Sequence, residues 1–149
     1  MRNKGDGDAS TGKKSTPPYL ENTVASTILL VDDHELVRMV TSKILTKEGF
    51  HVITAENGKD ALDFLQREAI DCVLLDMEMP VMGGLETLQN IRQQGWHQLP
   101  VIVMTARAEV ENEQRWRTLG FDGFIFKPSA PSELLITVSK FLFHKKPVE

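Results

Sequence analysis

Five short apolar stretches punctuate the chain, and apolar positions recur at helical spacing between them. Ile28-Leu29-Leu30-Val31, Cys72-Val73-Leu74-Leu75 and Val101-Ile102-Val103-Met104 are unbroken apolar runs. Runs this short, bounded by turn residues, predict strands buried on both faces. Residues 50–55 alternate imperfectly and Phe124-Ile125-Phe126 is brief, so these two predict weaker strands suited to sheet edges. Over residues 34–48, Leu36, Val37, Val40, Ile44 and Leu45 fall on one helical face, and Gly49 ends the pattern. Ala61, Leu62 and Leu65, with Phe64, mark a helix over 59–68 after a turn at Glu56-Asn57-Gly58. Leu85, Leu88 and Ile91 mark one over 85–94, stopped by Gly95. A polar helix over 108–119 closes at Gly120. The last begins at Pro131-Ser132-Glu133, where ring, hydroxyl and carboxylate suit a helix N-terminus, and frays near Lys145.

Strands that alternate with single helices imply right-handed parallel crossovers, hence an α/β, flavodoxin-like, doubly wound (βα)5 sandwich. Placing the three apolar runs centrally and the two weak strands outside gives the parallel order 2-1-3-4-5. In a parallel sheet every strand points its C-terminal end at one rim. The residues that follow the strands are Asp32-Asp33, Asp76, Thr105 and Lys127. The switch in winding direction falls between strands one and three, so the three carboxylates crowd together there. They cannot all stay ionised without compensation. A hard dication such as magnesium compensates them and still keeps positions for water and phosphate oxygens. Lys127 adds a point positive charge and Thr105 a hydroxyl donor. A phosphoryl group in transfer calls for this combination, with Asp76 as the nucleophile that becomes an acyl phosphate.

The motifs Leu30-Val31-Asp32-Asp33, Leu74-Leu75-Asp76-Met77-Glu78-Met79-Pro80-Val81-Met82-Gly83-Gly84, Met104-Thr105-Ala106 and Phe124-Ile125-Phe126-Lys127-Pro128 stand in this order at strand ends. With them the chain resembles the receiver domain of two-component response regulators, of the chemotaxis-regulator type, over roughly residues 27–143. The resemblance implies that Asp76 accepts a phosphoryl group from a phosphohistidine on a sensor histidine kinase or a histidine phosphotransfer protein. It implies Asp33 and Asp76 as ligands of Mg2+ (or Mn2+), Asp32 as the acid that holds the ion through water, and Glu78 as a ligand through its backbone carbonyl. It assigns Thr105 and Lys127 to the phosphoryl group, Ala106 to the small position that leaves room for it, and Phe124 to a mobile aromatic. The Lys127–Pro128 peptide bond is expected to be cis. Signalling would change the surface of the fourth helix, fifth strand and fifth helix, and Arg115, Trp116 and Arg117 together make the fourth helix the expected contact face, although Trp116 itself reads as partial core rather than as a partner anchor. Glu78 and Arg107, two residues beyond Asp76 and Thr105, could pair across the site.

Composition narrows the class. With 17 Lys and Arg against 21 Asp and Glu the net charge is -4, which argues against direct nucleic-acid binding. The single Cys72 excludes an internal disulfide and lies in an apolar run, as a buried inert thiol would. No stretch approaches a membrane span, and the first residues lack a secretory core, so a cytoplasmic protein is expected. Residues 1–26, polar and rich in Gly, Ser, Lys and Pro, read as a disordered tail or linker, 27–145 as the receiver and 146–149 as a tail. No output domain follows, so a single-domain regulator or the receiver of a hybrid kinase is expected, monomeric or weakly dimeric on phosphorylation. His34 reads as an exposed first-turn histidine, and His51, His97 and His144 form no cluster. Three rivals stand beside this reading. One is a magnesium-dependent phosphatase with an aspartyl nucleophile, for which Glu78 stands where a second Asp is wanted. The others are a flavodoxin-like cofactor binder, for which Asp-Asp-His is electrostatically wrong, and a receiver-like scaffold that works unphosphorylated.

Overall fold

The computed structural model describes residues 25–106 and 113–142. The expected N-terminal tail up to residue 24, Arg107 and the C-terminal tail lie outside them. Five strands, β1 (Thr27–Val31), β2 (His51–Ala55), β3 (Cys72–Asp76), β4 (Val101–Thr105) and β5 (Gly123–Phe126), alternate with five helices. The helices are α1 (Glu35–Lys47), α2 (Gly58–Arg67), α3 (Gly84–Gln93), α4 (Glu113–Leu119) and α5 (Pro131–Leu142). The sheet order is β2-β1-β3-β4-β5 with every neighbouring pair parallel, as the apolar pattern predicts.

The central strands are apolar between their end residues because each face meets helices. Side chains alternate along a strand, so Leu29, Val31, Val73, Leu75, Val101 and Val103 join Ala61, Leu65, Leu88 and Ile91 of α2 and α3 on one face. Ile28, Leu30, Cys72, Leu74, Ile102 and Met104 join Leu45 of α1 and Leu134, Val138 and Leu142 of α5 on the other. Each such fully buried aliphatic side chain contributes about 1.5–3 kcal/mol. Gly49 ends α1 at φ +100°, a backbone region that a Cβ disfavours. The turn expected at 56–58 is shorter than predicted. Asn57 caps α2 by accepting the Asp60 N–H at 2.8 Å, and Gly58 is already helical.

Two packing expectations need correction. Leu36 and Val40 were placed on the buried face of α1, yet they are 70% and 50% exposed, with Met39 at 57%. Leu45 is the buried residue of this helix. Val37, Thr41, Ile44 and Leu45, spaced for one helical face, are half-buried or buried along the whole of α1, and Leu36, Met39 and Val40 lie outside that face. Trp116 leaves the α4 contact face and takes its core reading, since it is 8% exposed and packs edge-on against Phe121 with ring centroids 5.7 Å apart. Its large ring is spent on the core, which leaves Arg115 and Arg117 on the exposed face. A device absent from the apolar pattern is Arg92 of α3. Its guanidinium donates to the carbonyls of Trp96, Leu99 and Gly120 and to Asp122, all within 3.0 Å, and so ties the entries of β4 and β5 together.

Candidate functional site

β1 and β3 run side by side with Val31 opposite Leu75. The next residue of each strand path is a carboxylate, which brings Asp32 and Asp76 together. Asp32 and Asp76 are buried and Asp33 is half-buried. Both oxygens of Asp32 are engaged: Oδ1 accepts the His34 backbone N–H at 2.9 Å, and Oδ2 accepts from Lys127 Nζ at 3.1 Å. Arg38 of α1 reaches back to donate to the Asp32 carbonyl at 2.7 Å, which fixes the loop between β1 and α1. Lys127 Nζ also lies 3.3 Å from Asp76 Oδ1, an oxygen that accepts the Glu78 N–H at 3.3 Å. The Lys127 backbone N–H donates to the Thr105 carbonyl at 2.8 Å, so β4 holds the lysine in place. The Lys127–Pro128 peptide bond is cis.

One ammonium cannot balance three carboxylates. Burial pushes the Asp76 carboxyl above its ordinary range, Lys127 pulls it back, and Asp32 pushes it up again, with a net rise. Burial also pushes the Lys127 ammonium down, but Asp76 and Asp32 together hold it above the ordinary lysine value. Asp76 Oδ2 and Asp33 Oδ1 are buried and lack a hydrogen-bond partner among the described residues. Orphaned anionic oxygens are expensive to keep. Ligand atoms of Asp32, Asp33, His34 and Asp76 lie within 4.8 Å of one another. Oxygen donors with unmet valence at this spacing fit a divalent cation.

The loop from β3 to α3 frames the rim. The Met77 N–H donates to the Met104 carbonyl, and the Gly84 N–H donates to the Met77 carbonyl, both at 2.9 Å. A Cβ on Gly84 would sit 2.7 Å from the Asp76 carbonyl oxygen and the Met77 Cα, so only glycine lets α3 start this close behind the acid. Val81, on the exposed tip, holds φ at 70°, a region that costs a β-branched residue about 1–3 kcal/mol.

The remaining predicted residues fall around this cluster. Thr105 is buried at the end of β4, one residue beyond Met104, which stands opposite Asp76. Ala106 follows it and is exposed. Phe124 is half-buried, leans on the α2–α3 side of the core and stacks with Phe126 at 5.5 Å. The Glu78 side chain is exposed, and its expected pairing with Arg107 lies outside the described residues. Arg115 and Arg117 of α4 are exposed, with Arg117 paired to Glu113 one turn away. His34, next to the acidic pair in sequence, is 65% exposed as expected of a first-turn histidine, and its Nδ1 is in hydrogen-bond contact with Asp32 Oδ1 at 3.2 Å and lies 3.1 Å from Asp33 Oδ1.

A sequence model described as the response regulator receiver domain matches residues 28–139. The transcriptional regulatory protein CpxR of Escherichia coli K12 is 40% identical over 115 residues, 77% of this chain and 48% of CpxR. The chain thus spans about half the length of such curated relatives. Among solved structures, the chemotaxis protein CheY4 of Vibrio cholerae superposes with a TM-score of 0.75 at 32% identity, covering 80% of this chain and 100% of CheY4. The response regulator TrrA of Thermotoga maritima, solved in complex with Mg2+-BeF, superposes with a TM-score of 0.70 at 32% identity over 78% of this chain and 99% of TrrA. Among the described residues no helix is long and apolar enough to cross a membrane.

Proposed function

Because the chain belongs to the response regulator receiver domain family, we propose that it accepts a phosphoryl group from a phosphohistidine onto Asp76 and relays the event as a change of surface. One observation carries the assignment: Asp76 has a buried, unpartnered oxygen beside a lysine and two further carboxylates. Asp76 Oδ2 attacks phosphorus and forms the O–P bond. The P–N bond to the donor imidazole breaks, and its electron pair stays on the ring nitrogen, which takes a proton from water. Lys127 Nζ, already beside Asp76, pairs with a phosphoryl oxygen, and the Thr105 hydroxyl donates to another. Asp33, Asp76 and the Glu78 carbonyl would hold a Mg2+ or Mn2+ ion, with Asp32 acting through water, and the ion would supply the positive charge that the transferring oxygens require. Small Ala106 leaves the approach open. Later hydrolysis resets Asp76, so the chain acts as a switch that processes no metabolite.

Recruitment of Thr105 toward the phosphoryl group empties space behind β4, and Phe124 moves in from its half-buried place. The surface of α4, β5 and α5, with Arg115 and Arg117, then favours a state already sampled. Beryllofluoride with Mg2+ tests this. Amide resonances of Thr105, Phe124 and the α4–β5–α5 surface are expected to shift. Shifts confined to the residues around Asp32 and Asp76 would sink the relay.

The donor is a sensor histidine kinase or a histidine phosphotransfer protein, met in a reducing cytoplasm. Leu36, Met39 and Val40 form an exposed apolar step next to the acidic rim, suited to an apolar helical surface that carries the histidine. A Leu36→Glu, Met39→Glu double variant is expected to slow transfer from a phosphohistidine donor by about tenfold or more. Labelling by acetyl phosphate, which needs no docking, should be unchanged. Equal loss with both donors would remove the apolar step from the argument.

A further inference from the structure

We propose that His34 is a ligand of the cation through Nδ1, so that this receiver takes nitrogen-preferring first-row divalent ions far better than its carboxylates alone would. The inference rests on the acidic rim being the cation site. Three observations support it. Nδ1 faces two different carboxylate oxygens at once, at 3.2 Å and 3.1 Å. Adjacent ligands on an octahedral ion with bonds of about 2.1 Å stand about 3.0 Å apart, so the 3.1 Å from Nδ1 to Asp33 Oδ1 is already that of neighbouring ligands, while Asp32 stays in the outer shell. Asp33 Oδ1, the closer of the two, accepts no hydrogen bond despite that approach. His34 Nδ1 is within hydrogen-bond distance of Asp32 Oδ1, but its approach to Asp33 Oδ1 shares no proton, and an ion in place of the Nδ1 proton would satisfy both Nδ1 and Asp33. The buried, unpartnered Asp76 Oδ2 completes a set of donors within 4.8 Å of one another.

The backbone makes the placement specific. The His34 N–H is held by Asp32 Oδ1, and His34 is the N-cap of α1 with extended φ and ψ of -92° and 111°. That geometry turns the imidazole back over the acidic pair. Binding requires only that the ring carry its proton on Nε2. No oxidant or further reactant is involved. An imidazole adds little for Mg2+, a hard ion that selects oxygen. It adds much for Mn2+, Co2+, Ni2+ or Zn2+, whose affinity for nitrogen rises along the Irving–Williams order. His34 is therefore a specificity-determining residue for the metal.

The test uses the whole chain with Ni2+ and Mg2+ as probes, in wild type, His34→Ala and His34→Asn. Loss of a partner in the outer shell already costs about 10–100-fold in affinity, so both variants should lose at least tenfold for Ni2+. Their Mg2+ affinity should stay within about twofold. In parallel, Mn2+ bound to wild type should show electron spin-echo modulation from a directly bonded 14N, absent in both variants. No 14N coupling in wild type, or Ni2+ affinity unchanged in the variants, overturns the proposal. Parallel loss of Ni2+ and Mg2+ overturns it too, because His34 would then merely shape the loop. Mg2+-dependent labelling of Asp76 by acetyl phosphate is read in the same samples. If labelling persists while nitrogen coupling is missing, only this inference fails. If labelling itself is missing, the receiver assignment fails first.

Discussion

Asp76→Asn takes up no phosphoryl group under conditions in which the wild type gains one, read by intact mass after incubation with acetyl phosphate and Mg2+. The neighbouring acids cannot substitute. Asp32 is fully buried, and both of its oxygens are committed, one to the His34 N–H and one to Lys127. Asp76 is the acid with a free buried oxygen next to the lysine. A single adduct on the variant, mapped to Asp32 or Asp33, would refute the assignment. The same substitution carries a stability signature. The Asp76 carboxyl titrates above its ordinary value, chiefly through burial, with Asp32 adding to the rise and Lys127 opposing it. The folded state therefore binds more protons than the unfolded state between the ordinary and the raised value. Stability is greatest below the ordinary carboxyl range and falls as pH rises through the raised value. In EDTA at neutral pH the asparagine variant should melt higher than wild type, by a few degrees. That margin should shrink as pH falls through the carboxyl range. A variant that melts lower at neutral pH would mean the ionised pair with Lys127 outweighs the burial of Asp76.

The sheet was legible because its cause is local. Ile28–Val31, Cys72–Leu75 and Val101–Met104 carry no polar residue, and a strand can be apolar on both faces only when helices cover both, which dictates a central place. Strand ends then collect at one rim, so Asp32, Asp76 and Lys127 were brought together by topology before any distance was known. The face of α1 was harder to read. Leu36 and Leu45, nine residues apart, lie on opposite sides of the helix, so the stripe that meets the sheet runs through Val37, Thr41, Ile44 and Leu45, and Leu36 and Val40 fall outside it. Trp116 could be read both ways, and its core reading holds: the ring, three residues before Leu119 on the helix, turns inward to Phe121, and the two flanking arginines stay outside. His34 shows the limit most clearly. An exposed histidine at a helix start has no periodicity to betray it, and its approach to two carboxylates follows from the capping geometry of a single residue. Arg92 gave no signal either, because the carbonyls it gathers come from backbone far along the chain.

Lys127→Met should show the converse of the asparagine variant, because it removes the one ammonium between two buried acids and keeps the length of the side chain. Lys127 Nζ sits 3.1 Å from Asp32 and 3.3 Å from Asp76. Breaking a buried pair from one side costs about 3–5 kcal/mol. Lys127 keeps partial exposure, so a loss near about 3 kcal/mol is expected from chemical denaturation in EDTA. Mg2+ should then stabilise the variant more than the wild type, since the dication becomes the remaining counter-charge and its binding is linked to folding. The alkaline limb gives an independent check. Burial works against the ammonium, but Asp76 and Asp32 raise its pKa above the ordinary lysine value. Its stabilisation is fully present below that ordinary value and disappears as pH rises through the raised one. Wild type should lose stability over that alkaline window, and the methionine variant should lose less. Labelling by acetyl phosphate should slow by about a hundredfold, the usual effect of deleting one preorganised donor to a transferring group. Equal melting of the two proteins in EDTA, with equal gains from Mg2+, would show that the carboxylates are not held by Lys127. The rim would then need another source of positive charge.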